Sequence, residues 1–236
     1  MQNGTVTLSA NSGLSLKMGQ ATILVDALHE KKESVFSPLS PRQQQQLETH
    51  PAFSQPDILF FTHLHPDHYS RRLAMRWRSL WPAAQLILPE QEFADQLLLT
   101  ETQHELSCRD LTLRFIRLPH EGPQFKSVPL YGLLIKRGNF TVLLVGDCEL
   151  ATPALGEQLQ GERIDVMIAP FTWASLSRGQ EAVRRVVRPH SLLLCHLPFS
   201  EDDHMHYYEA AKRYSQRLTE VPDIRFLTAP LQQECF

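Results

Sequence analysis

The stretch Thr62-His63-Leu64-His65-Pro66-Asp67-His68 decides how this chain folds and what it binds. Three histidines and one aspartate, all side chains that ligate metal ions, lie within six residues. The chain has 11 histidines in 236 residues, and chance would produce H-x-H-x-D-H in roughly one such chain in a thousand. The apolar run Ile58–Phe61 comes directly before this stretch and predicts a strand that ends there. The pattern therefore indicates a metal site at the carboxyl end of a strand.

Backbone geometry predicts how the four side chains are presented. Pro66 disfavours the α conformation for the residue before it, which predicts an extended ligand loop (residues 62–68) instead of a helical metal motif. On extended backbone, His63 and His65 point to the same side, toward one cation. Asp67 and His68 are adjacent, diverge, and can reach a second cation. The competing interpretation is that these are ordinary polar loop residues.

Three later predicted strands also end in ligand-type side chains. They are His120 after the run Leu111–Leu118, Asp147 after Phe140–Val145, and His196 after Leu192–Cys195. Each alone is more typical of a turn or a surface histidine, but the ligand loop upstream favours a shared site at one sheet edge. Cys148 and Cys195 adjoin these residues but are predicted to be core thiols, because neighbours in a strand face opposite ways.

Length and composition exclude several classes of protein. With 236 residues, 42% hydrophobic and 21% charged, the chain can bury a full core, and we expect a single domain over residues 1–236. The net charge of −3 argues against a nucleic-acid partner. No run approaches the roughly 18 apolar residues of a membrane span, and the N-terminus does not resemble a signal peptide. The four scattered cysteines suit reduced thiols, so we expect a cytoplasmic protein without a membrane partner.

Short apolar runs rich in β-branched residues predict about eleven strands. They are Thr5–Leu8, Leu14–Met18, Thr22–Val25, Ile58–Phe61, Gln85–Leu88, Leu111–Leu118, Leu130–Lys136, Phe140–Val145, Val166–Ala169, Leu192–Cys195 and Arg225–Leu227. Helical spacing predicts one helix that starts near Ser70, one that ends before Pro189 and one within residues 201–220. Ser40 and Pro41 predict the start of another. The order of these elements indicates two sheets flanked by helices.

These residues resemble the metallo-β-lactamase fold superfamily of metal-dependent hydrolases. The resemblance covers residues 4–200 approximately and includes an N-terminal hairpin that ends in Leu24-Val25-Asp26. It implies an α+β fold, an αββα sandwich of two mixed β-sheets flanked by helices. It also implies a first cation held by His63, His65 and His120, a second held by Asp67, His68 and His196, and Asp147 as the bridge. Asp26 matches a structural aspartate that supports the ligand loop.

The same resemblance implies a reaction. Two divalent cations lower the pKa of bound water toward about 7 and so supply a hydroxide nucleophile, which Asp67, the predicted catalytic residue, orients. Ligation by nitrogen and oxygen alone favours zinc, with manganese or iron as alternatives. Within the superfamily, the phrase Leu143-Leu144-Val145-Gly146-Asp147 looks most like the branch that contains L-ascorbate-6-phosphate lactonase. Tyr69-Ser70 and Cys148 depart from the usual pattern of that branch.

The expected activity is hydrolysis of a small ester, lactone or phosphodiester, and the oligomeric state is left open. Two alternatives remain from the sequence. One is a mononuclear-iron oxidoreductase that resembles persulfide dioxygenases, and the other is a non-catalytic protein whose metals stabilise its fold. A flavodiiron-type oxidoreductase would usually have Glu where His65 stands, which argues against that chemistry.

Some side chains outside the motifs are weaker candidates. The segment Thr172–Ser175 is predicted to be a loop at the edge of the site, and the competing interpretations for Thr172 and Trp173 are ordinary loop packing and contact with substrate. His204 is predicted to lie on a helix after His196. Its competing interpretations are simple helix packing and a role in supporting the site or contacting substrate.

Overall fold

The computed structural model of the protein describes residues 3–236, which form two β-sheets of seven strands each. The first sheet contains β1 (Gly4–Leu8), β2 (Leu14–Met18), β3 (Ala21–Val25), β4 (Ile58–Phe60), β5 (Gln85–Leu88), β6 (Leu97–Leu98) and β14 (Gln233–Cys235). The second contains β7 (Gln103–Cys108), β8 (Leu111–Leu118), β9 (Leu130–Arg137), β10 (Phe140–Leu144), β11 (Val166–Pro170), β12 (Ser191–Cys195) and β13 (Asp223–Phe226).

Each sheet has an antiparallel part and a parallel part. In the first sheet the order is β14-β1-β2-β3-β4-β5-β6, antiparallel as far as β3 and parallel from β3 to β6. In the second the order is β13-β12-β11-β10-β9-β8-β7, antiparallel from β7 to β10 and parallel from β10 to β13. As a result β1, β3 and β4 run in one direction in the first sheet, and β8, β10 and β12 run in one direction in the second.

The two sheets pack face to face around a shared core. Along β10, Val142 and Leu144 lie in the core that contains residues of both sheets, whereas Leu143 between them lies in a second core. Along β12, Leu193 faces the shared core and Leu194 faces the second core. Because strand side chains alternate between faces, the second core lies on the outer face of the second sheet.

Helices cover the outer faces of both sheets. The first sheet is covered by α1 (Pro41–Thr49) and α2 (Arg71–Leu80), which bury Leu47, Leu73 and Trp77. The second is covered by α3 (Pro153–Gln158), α4 (Thr172–Ser175), α5 (Ser177–Ala182) and the π-helical segment Val183–Val187, and α6 (Tyr207–Ser215) packs on α4. The protein is therefore an α+β αββα sandwich. None of the helices in residues 3–236 is both long and apolar enough to cross a membrane.

The sequence patterns located most of the strands. All eleven predicted runs overlap strands of the structure. Gly138-Asn139 forms a hairpin turn between β9 and β10, since Arg137 pairs with Phe140. Ser40 caps α1, and Pro41 is its first residue. The strands β6, β7 and β14 were not predicted, because β6 and β14 are only two and three residues long and β7 is largely polar.

Two predictions about the helical regions need correction, and one is confirmed. The helix within residues 201–220 begins only at Tyr207, so His204 lies in a turn before it and not on it. The helix predicted to end before Pro189 is confirmed: α5 continues into the π-helical segment, which ends at Val187 and is capped by Arg188 in a left-handed conformation with φ 50°. The predicted loop Thr172–Ser175 is the short helix α4.

Gly146 allows the end of β10 to pass close to the ligand loop. Its φ is +55°, and a Cβ atom at this position would lie 3.1 Å from Thr62 Cβ. Gly138 has a similar φ of +57°, but a Cβ atom there would meet nothing within 4 Å among the described residues. The two glycines therefore differ in their surroundings and not in their backbone conformation.

We expect Gly138→Ala to lower the free energy of unfolding by about 1–2 kcal/mol, the usual cost of a left-handed L-residue. Gly146→Ala should lower it by about 1–3 kcal/mol more, because Thr62 must also move. Urea unfolding of both variants in the presence of a chelator measures the difference. Equal losses would contradict a tight contact between Gly146 and Thr62.

Candidate metal centre

Ligand-type side chains meet at one edge of the sandwich, where strands of both sheets end. In the first sheet, Asp26 follows β3 and the ligand loop follows β4. In the second sheet, His120 follows β8, Asp147 follows β10 and His196 follows β12. Isolated bridges tie these segments together, since Leu28 pairs with Tyr69 and His120 pairs with Cys148.

Seven side chains form three overlapping groups, and within each group the ligand atoms lie within 4.8 Å of one another. The groups are His63, His65 and His120; Asp67, His68 and His196; and His63, His68 and Asp147. The first two correspond to the two ligand sets that the family resemblance implies. The third contains one histidine from each set, so Asp147 lies between them.

The centre of the cluster is densely packed with ligand atoms. His68 Nε2 lies 3.2 Å from His196 Nε2, and Asp147 Oδ2 lies 3.4 Å from both nitrogens. Asp67 Oδ2 lies 3.6 Å from His196 Nε2. Imidazole nitrogens and carboxylate oxygens that converge in this way are stabilised by a positive charge between them, either a proton or a metal ion.

Three buried ligand atoms in the cluster have no hydrogen-bond partner among residues 3–236. They are His63 Nε2, His120 Nε2 and Asp147 Oδ1. An unpaired buried polar group costs about 1–3 kcal/mol, so three at one place are unusual. Imidazole nitrogen and carboxylate oxygen are ligands of zinc and similar ions. The residues present therefore fit a metal centre.

The carboxylate of Asp26 anchors the ligand loop by hydrogen bonds. Its Oδ1 accepts a hydrogen bond from the backbone N–H of Thr62, and its Oδ2 accepts one from Thr62 Oγ1, both at 2.7 Å. Asp26 Oδ2 also lies 2.9 Å from His68 Nδ1. The side chain is only 2% exposed, so these contacts are shielded from water. Asp26 thus fixes both the start of the loop and the orientation of one of its histidines.

Hydrogen bonds at Nδ1 leave Nε2 of three histidines facing the centre. His120 Nδ1 donates to the carbonyl oxygen of Glu121 at 2.8 Å. Thr62 Oγ1 donates its proton to Asp26 Oδ2, so it can accept a hydrogen bond from His63 Nδ1 at 3.0 Å. His68 Nδ1 is likewise held by an acceptor. With the proton on Nδ1, the lone pair on Nε2 is available to a cation.

Burial and neighbouring charges shift the pKa values of the cluster. Burial, with a contribution from His68, holds the pKa of His63 well below its usual range. Burial would also lower the pKa of His68, but Asp147 and Asp26 outweigh it and raise that pKa well above its usual value. His196 and His68 in turn hold the pKa of Asp147 well below its usual range, against the effect of burial. In the metal-free protein these carboxylates therefore favour the protonated form of His68.

Two half-buried phenylalanines border the cluster on different sides. The ring of Phe36 contacts that of His196 edge-on, with centroids 4.1 Å apart. The ring of Phe125 lies 4.8 Å from His65 and 5.0 Å from His120. No pattern in the sequence marked either residue, because the contact of Phe36 with His196 and that of Phe125 with His65 join segments that are distant along the chain. These rings pack against the histidines and make part of the border of the site apolar.

The weaker candidates do not join the cluster. Trp173 is fully buried in the core on the outer face of the second sheet, so of its two interpretations packing describes it. Thr172 is half-buried at the start of α4, and its contact with substrate stays a prediction. His204 is exposed, so helix packing does not describe it. Cys148 and Cys195 are buried free thiols, as predicted.

Sequence reasoning missed Asn11, in the turn between β1 and β2. Its Nδ2 donates to the backbone carbonyl of Asp67 at 3.1 Å, and its own carbonyl accepts from the N–H of His196 at 3.0 Å. A turn of sequence Asn11-Ser12-Gly13 is typical of any hairpin. No local signal distinguishes an asparagine that shapes a turn from one that also contacts a distant site.

Comparison with known proteins agrees with this fold. A family model described as a beta-lactamase superfamily domain matches residues 21–217, so the chain belongs to this family. Among solved structures, the metallo-β-lactamase fold protein YhfI from Bacillus subtilis aligns with a TM-score of 0.67 and 13% identity, covering 100% of both chains. Igni18, a metallo hydrolase from Ignicoccus hospitalis, aligns with a TM-score of 0.64 and 13% identity, covering 99% of this chain and 98% of that one.

A third similar structure belongs to a longer protein. CmlA, a diiron β-hydroxylase from Streptomyces venezuelae, aligns with a TM-score of 0.61 and 15% identity over 100% of this chain. The chain spans only 54% of the length of CmlA. No curated protein sequence matched significantly. At these identities the structural similarities show the metallo-β-lactamase fold alone.

Metal affinity should depend on pH through His68. Because the pKa of His68 is raised in the metal-free protein, a cation must displace its proton, and binding releases that proton. We expect zinc affinity, measured by competition with a chelator and corrected for the chelator's own protonation, to rise between about pH 6 and 8. Constant affinity over this range, without proton release, would contradict a protonated His68.

Proposed function

We propose that the protein is a metal-dependent hydrolase that uses two divalent cations to cleave a small ester, lactone or phosphodiester. The position of Asp147 carries this proposal. Its Oδ2 lies 3.4 Å from Nε2 of both His68 and His196, and its Oδ1 is buried without a partner in the described part of the chain. Asp147 also forms a group with His63 and His68, one histidine from each ligand set, so its carboxylate can offer oxygens to both sets. Membership of the beta-lactamase superfamily supports the same function.

The proposed roles follow from the three groups of ligands. His63, His65 and His120 would hold one cation, Asp67, His68 and His196 the other, and Asp147 would contact both. When bound, such a pair of cations supplies a hydroxide nucleophile at neutral pH and polarises the substrate oxygen. Asp67 is the proposed catalytic residue, because a carboxylate beside His196 can accept a proton from the nucleophile and orient it.

Exposure of the ligands suggests where a substrate enters. His63, Asp67, His68, His120 and His196 are buried, whereas His65 and Asp147 are partly exposed. A substrate would therefore approach from the side of His65 and Asp147. Phe36 and Phe125, the half-buried rings beside the ligands, would border it. An opening bounded in this way suits a small molecule.

The charge of the protein supports a small substrate and not a nucleic acid. The net charge is −3, whereas a polyanion is usually bound by a face of unpaired cationic side chains. The guanidinium of Arg178 is paired at 3.3 Å with the carboxylate of Glu121, the residue after His120. Lactones come first among the substrates to test, because the phrase around Asp147 resembles the lactonase branch.

Zinc is the proposed native metal, and iron chemistry is the second candidate function. The ligand set contains imidazole and carboxylate without thiolate, which suits zinc and also manganese and iron. An iron-dependent oxidoreductase could therefore use the same residues. The iron-loaded protein should not consume oxygen with persulfide or other candidate substrates if the hydrolase proposal holds. Oxygen consumption without hydrolysis would favour the second candidate.

Asp147, which links the two ligand sets, should matter far more for activity than His204, an exposed histidine outside them. Asp147→Asn keeps the shape of the side chain but removes the charge that would attract two cations. We expect kcat/KM to fall at least about 10²-fold with the fold retained. His204→Ala is the matched control, since His204 is exposed, and it should change kcat/KM less than about twofold. Similar losses in both variants would contradict this assignment.

A panel of substrates tests the proposed substrate class. Zinc-loaded and manganese-loaded protein should be assayed separately with lactones, simple esters and simple phosphodiesters, because the metal can mask an activity. We expect turnover of at least one of these classes, abolished by a chelator and restored by metal. Efficient cleavage of structured RNA with no turnover of the small substrates would overturn the substrate class and leave the metal centre intact.

A further inference from the structure

Asn11 is a fully buried polar residue that joins the β1–β2 turn to the metal centre. Its exposed fraction is 0%, and its φ of 53° lies in the left-handed region. Asparagine and glycine tolerate this region better than other residues, so the backbone alone would accept either one. Only asparagine adds a side chain here, and that side chain reaches Asp67 of the ligand loop.

The contacts of Asn11 connect the two sheets at the proposed second cation. Its Nδ2 lies 3.1 Å from the backbone carbonyl of Asp67 and 3.4 Å from Asp67 Oδ2. Its backbone carbonyl accepts a hydrogen bond of 3.0 Å from the N–H of His196. His196 also has a left-handed φ, of 58°, so this bond holds an unfavourable backbone conformation. One residue thus contacts two of the three ligands in one set.

The orientation of the Asn11 amide follows from its partners. The two atoms of Asp67 that face it are both oxygens that accept hydrogen bonds, so the NH₂ group must point toward them. The other end, Oδ1, is buried and has no partner within residues 3–236. A side chain placed only to satisfy its own polar atoms would not leave an acceptor unpaired. Its donor group is therefore the reason for an asparagine here.

We propose that Asn11 is a positioning residue for the second cation. Its amide holds Asp67 so that the carboxylate faces His196 and His68, and its carbonyl holds His196 in place. The inference rests on the proposed function, since it requires that Asp67, His68 and His196 bind a cation. The inference goes further than that function, because the affinity of this ligand set for a cation then depends on Asn11, a residue that binds no metal itself.

The test compares the zinc affinities of two variants with that of the wild type. Asn11→Gly removes the side chain and tolerates the left-handed backbone. Ser12→Ala is the matched control in the same turn, because Ser12 is also buried and its Oγ has no partner in the described chain. Zinc is titrated into chelator-stripped protein by calorimetry and by competition with a chelator. Urea unfolding of the metal-free forms measures stability separately.

We expect Asn11→Gly to lower the affinity for the second zinc ion about 10–100-fold and to change the affinity for the first less than about threefold. Ser12→Ala should change neither affinity. If the wild type binds two zinc ions and Asn11→Gly binds the second one with unchanged affinity, the inference about Asn11 is overturned and the proposed function is not. A wild-type chain that binds only one zinc would contradict the proposed function and with it the role of Asn11. Equal weakening of both zinc ions would indicate a general structural role and overturn the inference.

If Asn11→Gly does not fold, a second variant, Asn11→Ser, takes its place in the zinc titration. Asn11→Ser keeps a short hydroxyl donor in place of the amide, and serine is common in turns. Its affinity for the second zinc ion should be lower than that of the wild type, and its affinity for the first should change less. Wild-type affinity for both zinc ions in a folded Asn11→Ser protein would contradict the need for the amide.

Discussion

The buried carboxylate of Asp26 is the contact on which the candidate centre depends. It accepts the N–H and the hydroxyl of Thr62, where the ligand loop begins, and it faces Nδ1 of His68 near the end of that loop. Because the same hydroxyl can then accept from His63 Nδ1, one carboxylate sets the orientation of two rings. In the metal-free protein, Asp26 also helps to hold a proton on His68. The carboxylate that prepares the site for a cation therefore also favours the proton that competes with it.

The centre also depends on the packing of the two sheets. Asp26 and the ligand loop belong to the first sheet, and His120, Asp147 and His196 belong to the second. Neither sheet alone contains a complete ligand set, since each group of ligand atoms combines residues of both. Metal binding should thus stabilise the association of the sheets, because a cation binds only the folded arrangement. Gly146 lets the two sheets approach beside the ligands, since even a Cβ atom at its position would lie 3.1 Å from Thr62 Cβ.

The sequence predicted those parts of the site that local spacing determines. The ligand loop was recognisable because its four ligand-type residues are close in sequence, and Asp147 because it ends a strand. Contacts between distant segments left no such signal. Asn11 reads as an ordinary turn residue and Phe36 as a loop residue, and the burial of Trp173 depends on how α4 packs. The strand β7 was missed because its side chains alternate between exposed and half-buried, without an apolar face.

The most direct test of this account is a crystal structure of the zinc-loaded protein with anomalous scattering measured at the zinc edge. We expect two zinc ions, one bound by His63, His65 and His120 and the other by Asp67, His68 and His196, with Asp147 in contact with both. A single ion at full occupancy in zinc-saturated crystals, or zinc bound away from these residues, would contradict it.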